Sequence, residues 1–423
     1  MSEFEISQQL INRFTSAGPK RILALDGGGI RGALTLGYLE KIEEILAERH
    51  KQIIPKDKFR LHHYFDLIGG TSTGAIIAAA LVKGMKASEV KVKYKELGKE
   101  VFQKRKLFGF LPNPFTVFSY SYHAKPLEKH LEKILEGSVL GDKSNKTGLC
   151  VIAKRLDTYS TWPVSNNPNA KYFPDNRFKV KDIVRASSAA PTYFKPEILP
   201  VDLENQMGSF VDGGISIMNN PSLQLFLMAT VKGYRIGGYN EKVVDGEKTE
   251  EEITWKAGEK DLFIVSVGTG RKDKKVMAEK WKNPNVLQIA KILPDQFMTD
   301  ANQIVEMMMN LLGKFPPNYF PRKIDSEVGT MENDILMNQK AFTYVRYNAD
   351  LAKDKLKSEL GIEDISDDEV KRLTQMDDVR NIDNLVKIGK VASGKVLDVH
   401  FPVEFDLTPQ SIFDEEIQKR NNT

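Results

Sequence analysis

The chain has 423 residues, 41% of them hydrophobic and 28% charged, and a formal net charge of +4. It is long enough to bury a large core, and its balance is that of a soluble globular protein. One cysteine, Cys150, excludes an intrachain disulfide framework and points to a reducing compartment, and the weak net charge, with no zinc spacing and no RNA-binding signature, excludes a nucleic-acid polymer as partner.

Residues 1–19 read as an N-terminal segment with no apolar stretch of the signal-peptide kind, and no stretch of the chain is long and apolar enough to span a bilayer. The first predicted strand, 21–26, runs into Asp26-Gly27-Gly28-Gly29-Ile30-Arg31-Gly32. A helix over 32–50 follows. A second strand, 64–69, runs into Gly70-Thr71-Ser72-Thr73-Gly74, and the small apolar run after it predicts a buried helix over 73–84. A serine on a tight strand-to-helix turn needs small residues two positions either side, which Gly70 and Gly74 supply. The alternative role for Ser72 is a plain helix cap.

The glycine turn also spells the dinucleotide fingerprint, Gly-x-Gly-x-x-Gly. That reading wants an acid at the end of the second strand. The acids at the right distance, Glu43 and Glu44, fall inside the helical run instead. Consecutive glycines suit a loop whose amides converge on one oxyanion, so Gly27, Gly28, Gly29, Ile30, Arg31 and Gly32 are the candidate oxyanion hole. An oxyanion hole and a nucleophile are the minimum for acyl transfer.

Helices are expected over 87–103, 124–136, 178–189 and 218–232, and strands over 148–155, 208–212 and 261–267. The alternation predicts an α/β fold with a mostly parallel sheet covered on both faces. Nine lysines or arginines stand against three glutamates between Lys83 and Lys106, and an aromatic loop follows, with Phe108, Phe110 and Phe115. Residues 104–120 are therefore a candidate lid or membrane-contact loop, the alternative being that the phenylalanines fold into the core. Residues 239–260 read as a hydrophilic surface insertion. Residues 276–315 read as helical, with Met307, Met308 and Met309 filling core or lining an acyl groove. Residues 401–423 read as a loose polar tail.

A serine nucleophile needs a base. None of the six histidines sits in a motif, and His400 alone follows late enough in the chain to suit an ordinary Ser-acid-His order. The better candidate is Asp212 of Val211-Asp212-Gly213-Gly214, a carboxylate between a strand and two uncrowded glycines. The competing role for Asp212 is that of an ordinary turn residue. No metal-ligand spacing is present, and no cofactor is expected.

These motifs, in this order, resemble the patatin-like lipid acyl hydrolases, as do Arg185 to Phe194 and Ser266-Val267-Gly268-Thr269-Gly270; weaker similarity continues in 342–347 and 384–389. The resemblance implies a three-layer α/β/α patatin-like fold with a C-terminal mixed, mainly helical extension. Domain limits of 20–275 for the catalytic part and 276–400 for the extension follow. It implies a Ser-Asp dyad of Ser72 as nucleophile and Asp212 as proton acceptor, the glycine loop as oxyanion hole, and an acyl-lipid or phospholipid substrate. A cytoplasmic protein working at the membrane periphery is the corresponding expectation. Some bacterial proteins of this kind are second-messenger-activated, membrane-degrading effectors in phage defence, so a small-molecule activator and a homo-oligomer are open alternatives. A non-catalytic binding protein on a hydrolase fold is the reading from another class.

Overall fold

The computed structural model describes residues 7–102, 106–107, 111–112, 121–171, 177–201, 206–244, 247–271, 282, 285–324, 326–336 and 338–413. Nine strands make one sheet: β1 (Lys20–Leu25), β2 (Leu67–Thr71), β3 (Gly148–Arg155), β4 (Thr161–Ser165), β5 (Glu197–Pro200), β6 (Met207–Asp212), β7 (Leu262–Val267), β8 (Gly313–Lys314) and β9 (Phe342–Tyr347). The order is β8-β9-β7-β1-β2-β3-β6-β5, with β4 also on β3. From β8 to β3 every pairing is parallel. The strands β4, β5 and β6 pair antiparallel.

Strand residues sort by parity onto two cores, as the two-residue repeat of a strand requires. Ile22, Ala24, Leu67, Cys150 and Ile264 face a core shared with α1 (Gln8–Thr15), and Leu23, Leu25, Ile68, Val151 and Val265 face one shared with α2 (Gly32–Arg49) and α3 (Thr73–Val82). Cys150 is a packing residue of the first core. Further along, α4 (Ala87–Val101), α5 (Ala124–Leu135) and α6 (Val180–Ser187) join the α2 side, while α7 (Ser222–Thr230) and α8 (Val286–Leu312) lie on the α1 side. The molecule is thus a mostly parallel sheet between two helical layers, the three-layer α/β/α architecture, with both sheet faces covered.

Several expectations are corrected. Residues 61–64 are a helical turn, and β2 begins only at Leu67 and includes Gly70 and Thr71. The expected helix over 218–232 begins at Ser222, after the Met218 and Asn219 carbonyls have accepted from Thr71 Oγ1 and the Gly27 amide. The strands β4, β5, β8 and β9 were not predicted, and β8 lies within 276–315, which was expected to be helical throughout. Two strands, Gly238–Val244 and Glu247–Ile253, pair antiparallel with an exposed outer part, so the hydrophilic insertion has regular structure. Residues 401–413 are not a loose tail: Phe401, Phe405, Leu407 and Ile412 are buried, and Phe263 packs against Phe401 and Phe405 at centroid distances of 5.9 and 5.1 Å. Their apolar positions follow no helical or strand period, so pattern reading passes over them. From beyond residue 275, β8 and β9 extend the same sheet, and α9 (Ile382–Ala392) packs on α2 so closely that a Cβ on Gly37 would lie 2.3 Å from the Gly389 carbonyl carbon. Phe108, Phe110 and Phe115 lie outside the described residues.

Candidate active site

Ser72 stands where β2 gives way to α3, and its φ of 54° and ψ of −122° are a conformation that residues other than glycine rarely adopt. The chain holds it there by crowding. A Cβ on Gly70 would come within 2.2 Å of Gly74, and one on Gly74 within 2.2 Å of the Leu25 carbonyl oxygen. The Ser72 amide is fixed separately, donating to Ser187 Oγ at 2.8 Å, which in turn donates to the Ile152 carbonyl at 2.6 Å. Such a turn presents the hydroxyl and spends the strain on its position.

Sheet register brings Asp212 to that hydroxyl. The last pair of β2 with β3 is Thr71 with Ile152, and the next residue of β3, Ala153, pairs with Asp212 of β6. The other edge of β3 is already taken by β4 along the same residues. So β6 takes over the edge that β2 leaves, end to end with it, and Asp212 lies beside Ser72. The Ser72 hydroxyl donates to Asp212 Oδ2 at 2.5 Å, and the Gly214 amide donates to Oδ1 at 2.7 Å. Among the described residues no cation reaches the carboxylate. Burial therefore pushes the Asp212 pKa up to about 6, with the Ser72 and Gly214 hydrogen bonds opposing it.

The glycine loop can be accounted for amide by amide. Gly27 N–H donates to the Asn219 carbonyl at 3.1 Å, Ile30 N–H to the Met376 carbonyl at 2.8 Å, and Arg31 N–H to the Gly28 carbonyl at 3.2 Å. Gly32 N–H turns back on Gly29 and Ile30. Among the described residues, that leaves Gly28 and Gly29 N–H without an acceptor. Both glycines line the same cavity as Ser72. A planar peptide points its N–H away from its carbonyl. The Gly27 carbonyl, which shares a peptide with Gly28 N–H, is held by Thr269 Oγ1 at 3.1 Å. The Gly28 carbonyl, which shares one with Gly29 N–H, is held by Arg31. Arg31 also reaches the Gly270 carbonyl at 3.4 Å, so it braces the loop. Gly29 has φ of 56°, and its carbonyl accepts from Thr73 Oγ1 at 2.8 Å and Tyr94 Oη at 2.5 Å.

The cavity at Ser72 measures about 430 Å³ and is mainly apolar, with Ile76, Leu97, Val101, Phe194, Met298 and Met376 among its walls. No histidine lines it. His400 Nδ1 meets Tyr347 Oη at 2.9 Å and its Nε2 meets the Asn318 carbonyl, so it is engaged elsewhere. Of the predicted methionines, Met309 is in the core. The two cavity methionines, Met298 and Met376, had no motif to mark them; nor had Tyr94 and Asn219, whereas Ser187 lies in the Arg185 to Phe194 segment on which the resemblance partly rests, without a role assigned to it.

Asp26 is anchored behind the loop. Arg346 of β9 donates to both Asp26 oxygens, at 3.1 and 2.6 Å, and to Glu306 at 2.8 Å. Burial works against the Arg346 charge, but Asp26 and Glu306 outweigh it and hold the guanidinium well above its ordinary value. Among the described residues no cluster of three or more His, Cys, Asp or Glu could hold a metal. No helix among them is long and apolar enough to cross a membrane.

A strained serine at a strand-to-helix elbow, facing a buried carboxylate and two unpaired amides within a three-layer α/β/α fold, defines the class of site. Residues 23–226 match the family described as patatin-like phospholipase, and the chain carries a domain of that family. It is 36% identical over 214 residues to a cGAMP-activated phospholipase of Vibrio cholerae, 48% of this chain and 55% of that one. A cGAMP-activated phospholipase of Escherichia coli is 29% identical over 253 residues, 60% of this chain and 63% of its own. A calcium-independent phospholipase A2-gamma of Rattus norvegicus is 33% identical over 218 residues, 48% of this chain and 25% of its own. The matched stretch therefore spans only part of each relative.

Proposed function

We propose that this chain is a serine lipid acyl hydrolase that cleaves fatty acyl esters of phospholipids through a Ser72–Asp212 dyad. The contact of 2.5 Å between the two side chains, inside an apolar cavity, carries the reading. Asp212 takes the Ser72 proton as Oγ bonds to the ester carbonyl carbon. The carbonyl oxygen becomes an oxyanion facing the amides of Gly28 and Gly29. Collapse expels the alcohol, which leaves with the proton from Asp212, and the acyl group stays on Ser72. Water, deprotonated by Asp212, attacks the acyl-enzyme and releases the fatty acid. A base with a pKa near 6 is ionised at neutral pH and still basic enough to accept a proton.

Work at a bilayer surface fits the rim of the cavity. Ile215 lines it and is half exposed, and Ile217 and Phe297, each beside or near a lining residue in sequence, are exposed too. The test is release of free fatty acid from mixed phospholipid liposomes, followed by mass spectrometry, for wild type and Ser72→Ala. Release by wild type alone supports the reading; equal release by both overturns it.

A second reading concerns control. Two relatives are named for activation by cGAMP, which favours a small-molecule activator for this chain as well, with the same chemistry at Ser72. Fatty acid release that appears only when the nucleotide is added is the expected sign.

A further inference from the structure

A second cavity, of about 780 Å³, shares no lining residue with the one at Ser72. It lies beyond the carboxyl ends of β7 and β9, between Arg271, Asn348, α8 and the segment 318–324. Its size is within the range of small-molecule sites, roughly 300–1,000 Å³. Carboxyl ends of parallel strands are where open α/β sheets take ligands.

Its chemistry is that of an anion site. Six lysines and arginines line it against three carboxylates. The carboxylates are shared: Glu306 serves Arg322 and Arg346, and Glu359 serves Lys355 and Lys395. With Asp26 included as the partner of Arg346, two positive charges are in excess among the described lining residues. Arg271 approaches Asp350 only at 4.0 Å, and its Nη1 is buried without a hydrogen-bond partner. A buried guanidinium nitrogen without an acceptor is costly, and a phosphate oxygen is the acceptor its planar fork fits. Aromatic faces accompany the charge. Tyr319 forms part of the wall, and Phe320 is 87% exposed at the cavity. A flat ring left in water beside a cationic cavity suits stacking on a heterocyclic base. Asn310 Oδ1 and Asn348 Nδ2 offer base-edge hydrogen bonds, the other amide atom of each being engaged by Thr330 and Gly270.

We propose that this cavity binds a nucleotide carrying two phosphate charges and that its occupancy acts on the glycine loop. The proposal rests on the activator reading above and adds a place and a route to it. Two routes leave the cavity wall. Arg346 grips Asp26, the residue before Gly27. Asn348 Oδ1 accepts the Gly270 amide at 2.8 Å, and the Gly270 carbonyl accepts Arg31, which braces Gly28. A phosphate that draws Arg346 or Arg271 toward itself redistributes these bonds and so re-aims the Gly28 and Gly29 amides.

The test is titration calorimetry on the full chain with cyclic GMP–AMP, ATP and inorganic pyrophosphate as probes. Variants are Arg271→Glu and Phe320→Ala, both partly or fully exposed, with folding checked by circular dichroism. Wild type and Ser72→Ala bind a cyclic dinucleotide alike, and each pocket variant weakens binding tenfold or more. Binding read this way needs no hydrolysis, so a chain that binds nucleotide and releases no fatty acid refutes the hydrolase reading and leaves the cavity standing. The proposal is overturned if no probe binds, if both variants bind as wild type does, or if phosphatidylglycerol vesicles compete for the cavity in place of the nucleotide.

Discussion

Asp66 and Asp212 are both buried aspartates, at opposite ends of the same parallel strands, and their surroundings treat charge in opposite ways. Asp66 precedes β2, where Arg21 approaches at 3.0 Å and Arg13 at 3.3 Å, with Lys20 close by. Burial works against its charge, but Arg21, Lys20 and Arg13 outweigh it and hold the carboxyl below its ordinary value. Asp212 lies past the other end of β2 with, among the described residues, only a hydroxyl and an amide as partners, and burial holds it up at about 6. The first carboxylate fastens α1 to the sheet. The second is free of such a tether, as the proposed base requires. Burial alone therefore predicts neither role; the count of neighbouring cations does.

The largest expected effect breaks the reactive end. Ser72→Ala and Asp212→Asn should each cut ester hydrolysis by on the order of 10⁴-fold or more, measured on dispersed phospholipid. A fully active Asp212→Asn protein would sink the dyad. At the structural end, Asp66→Asn leaves buried cations unpaired and should cost about 3–5 kcal/mol in denaturant unfolding. The depressed pKa of Asp66 gives stability that is present above its unfolded value near 3.9 and lost as pH falls through the folded one.

Asp212 has the opposite sign. Its raised pKa favours the fold below about pH 4, and that contribution is lost as pH rises through about 6. Asp212→Asn should therefore stabilise the protein above pH 6 by up to about 3 kcal/mol and make no difference below about pH 4. Chemical denaturation at pH 4 and pH 8 separates the two outcomes. Hydrolysis by wild type should rise with pH along a limb centred near 6, and a limb near 4 would mean that burial does not tune the base. The smallest effect concerns the rim. Phe297→Ser should weaken liposome hydrolysis severalfold and leave a soluble short-chain ester untouched; an equal loss on both would place Phe297 outside any membrane contact.

Much of the site was legible because its parts are local. The elbow needs Gly70 and Gly74 within two residues of Ser72, and the loop needs Gly28 and Gly29 side by side, so both leave a short pattern. Asp212 was legible as an Asp-Gly-Gly turn, but its meeting with Ser72, 140 residues away, depends on β6 following β2 along one edge of β3. No local period encodes that. Met376 acts through a carbonyl that any residue supplies, so nothing in its surroundings marks it, and Ser187 and Arg346, though within segments 185–194 and 342–347 of the resemblance, act through a hydroxyl and a charge whose partners lie far away in sequence. The strand expected over 64–69 was misread because Tyr64 and Phe65 favour strands by composition, whereas Asp66 accepts the Arg21 amide at 2.8 Å and starts the pairing only after it.

Residue 226, where the family match stops, is not where the cavity at Ser72 stops. The carbonyl of Met376 pins Ile30 and Met376 lines the cavity, so a fragment cut at the end of the matched region would carry Ser72 and Asp212, the proposed dyad, yet lack one side of the cavity wall. On the proposed reading, exchanging the C-terminal third between relatives would alter which acyl chains the cavity accepts while every motif residue stayed the same.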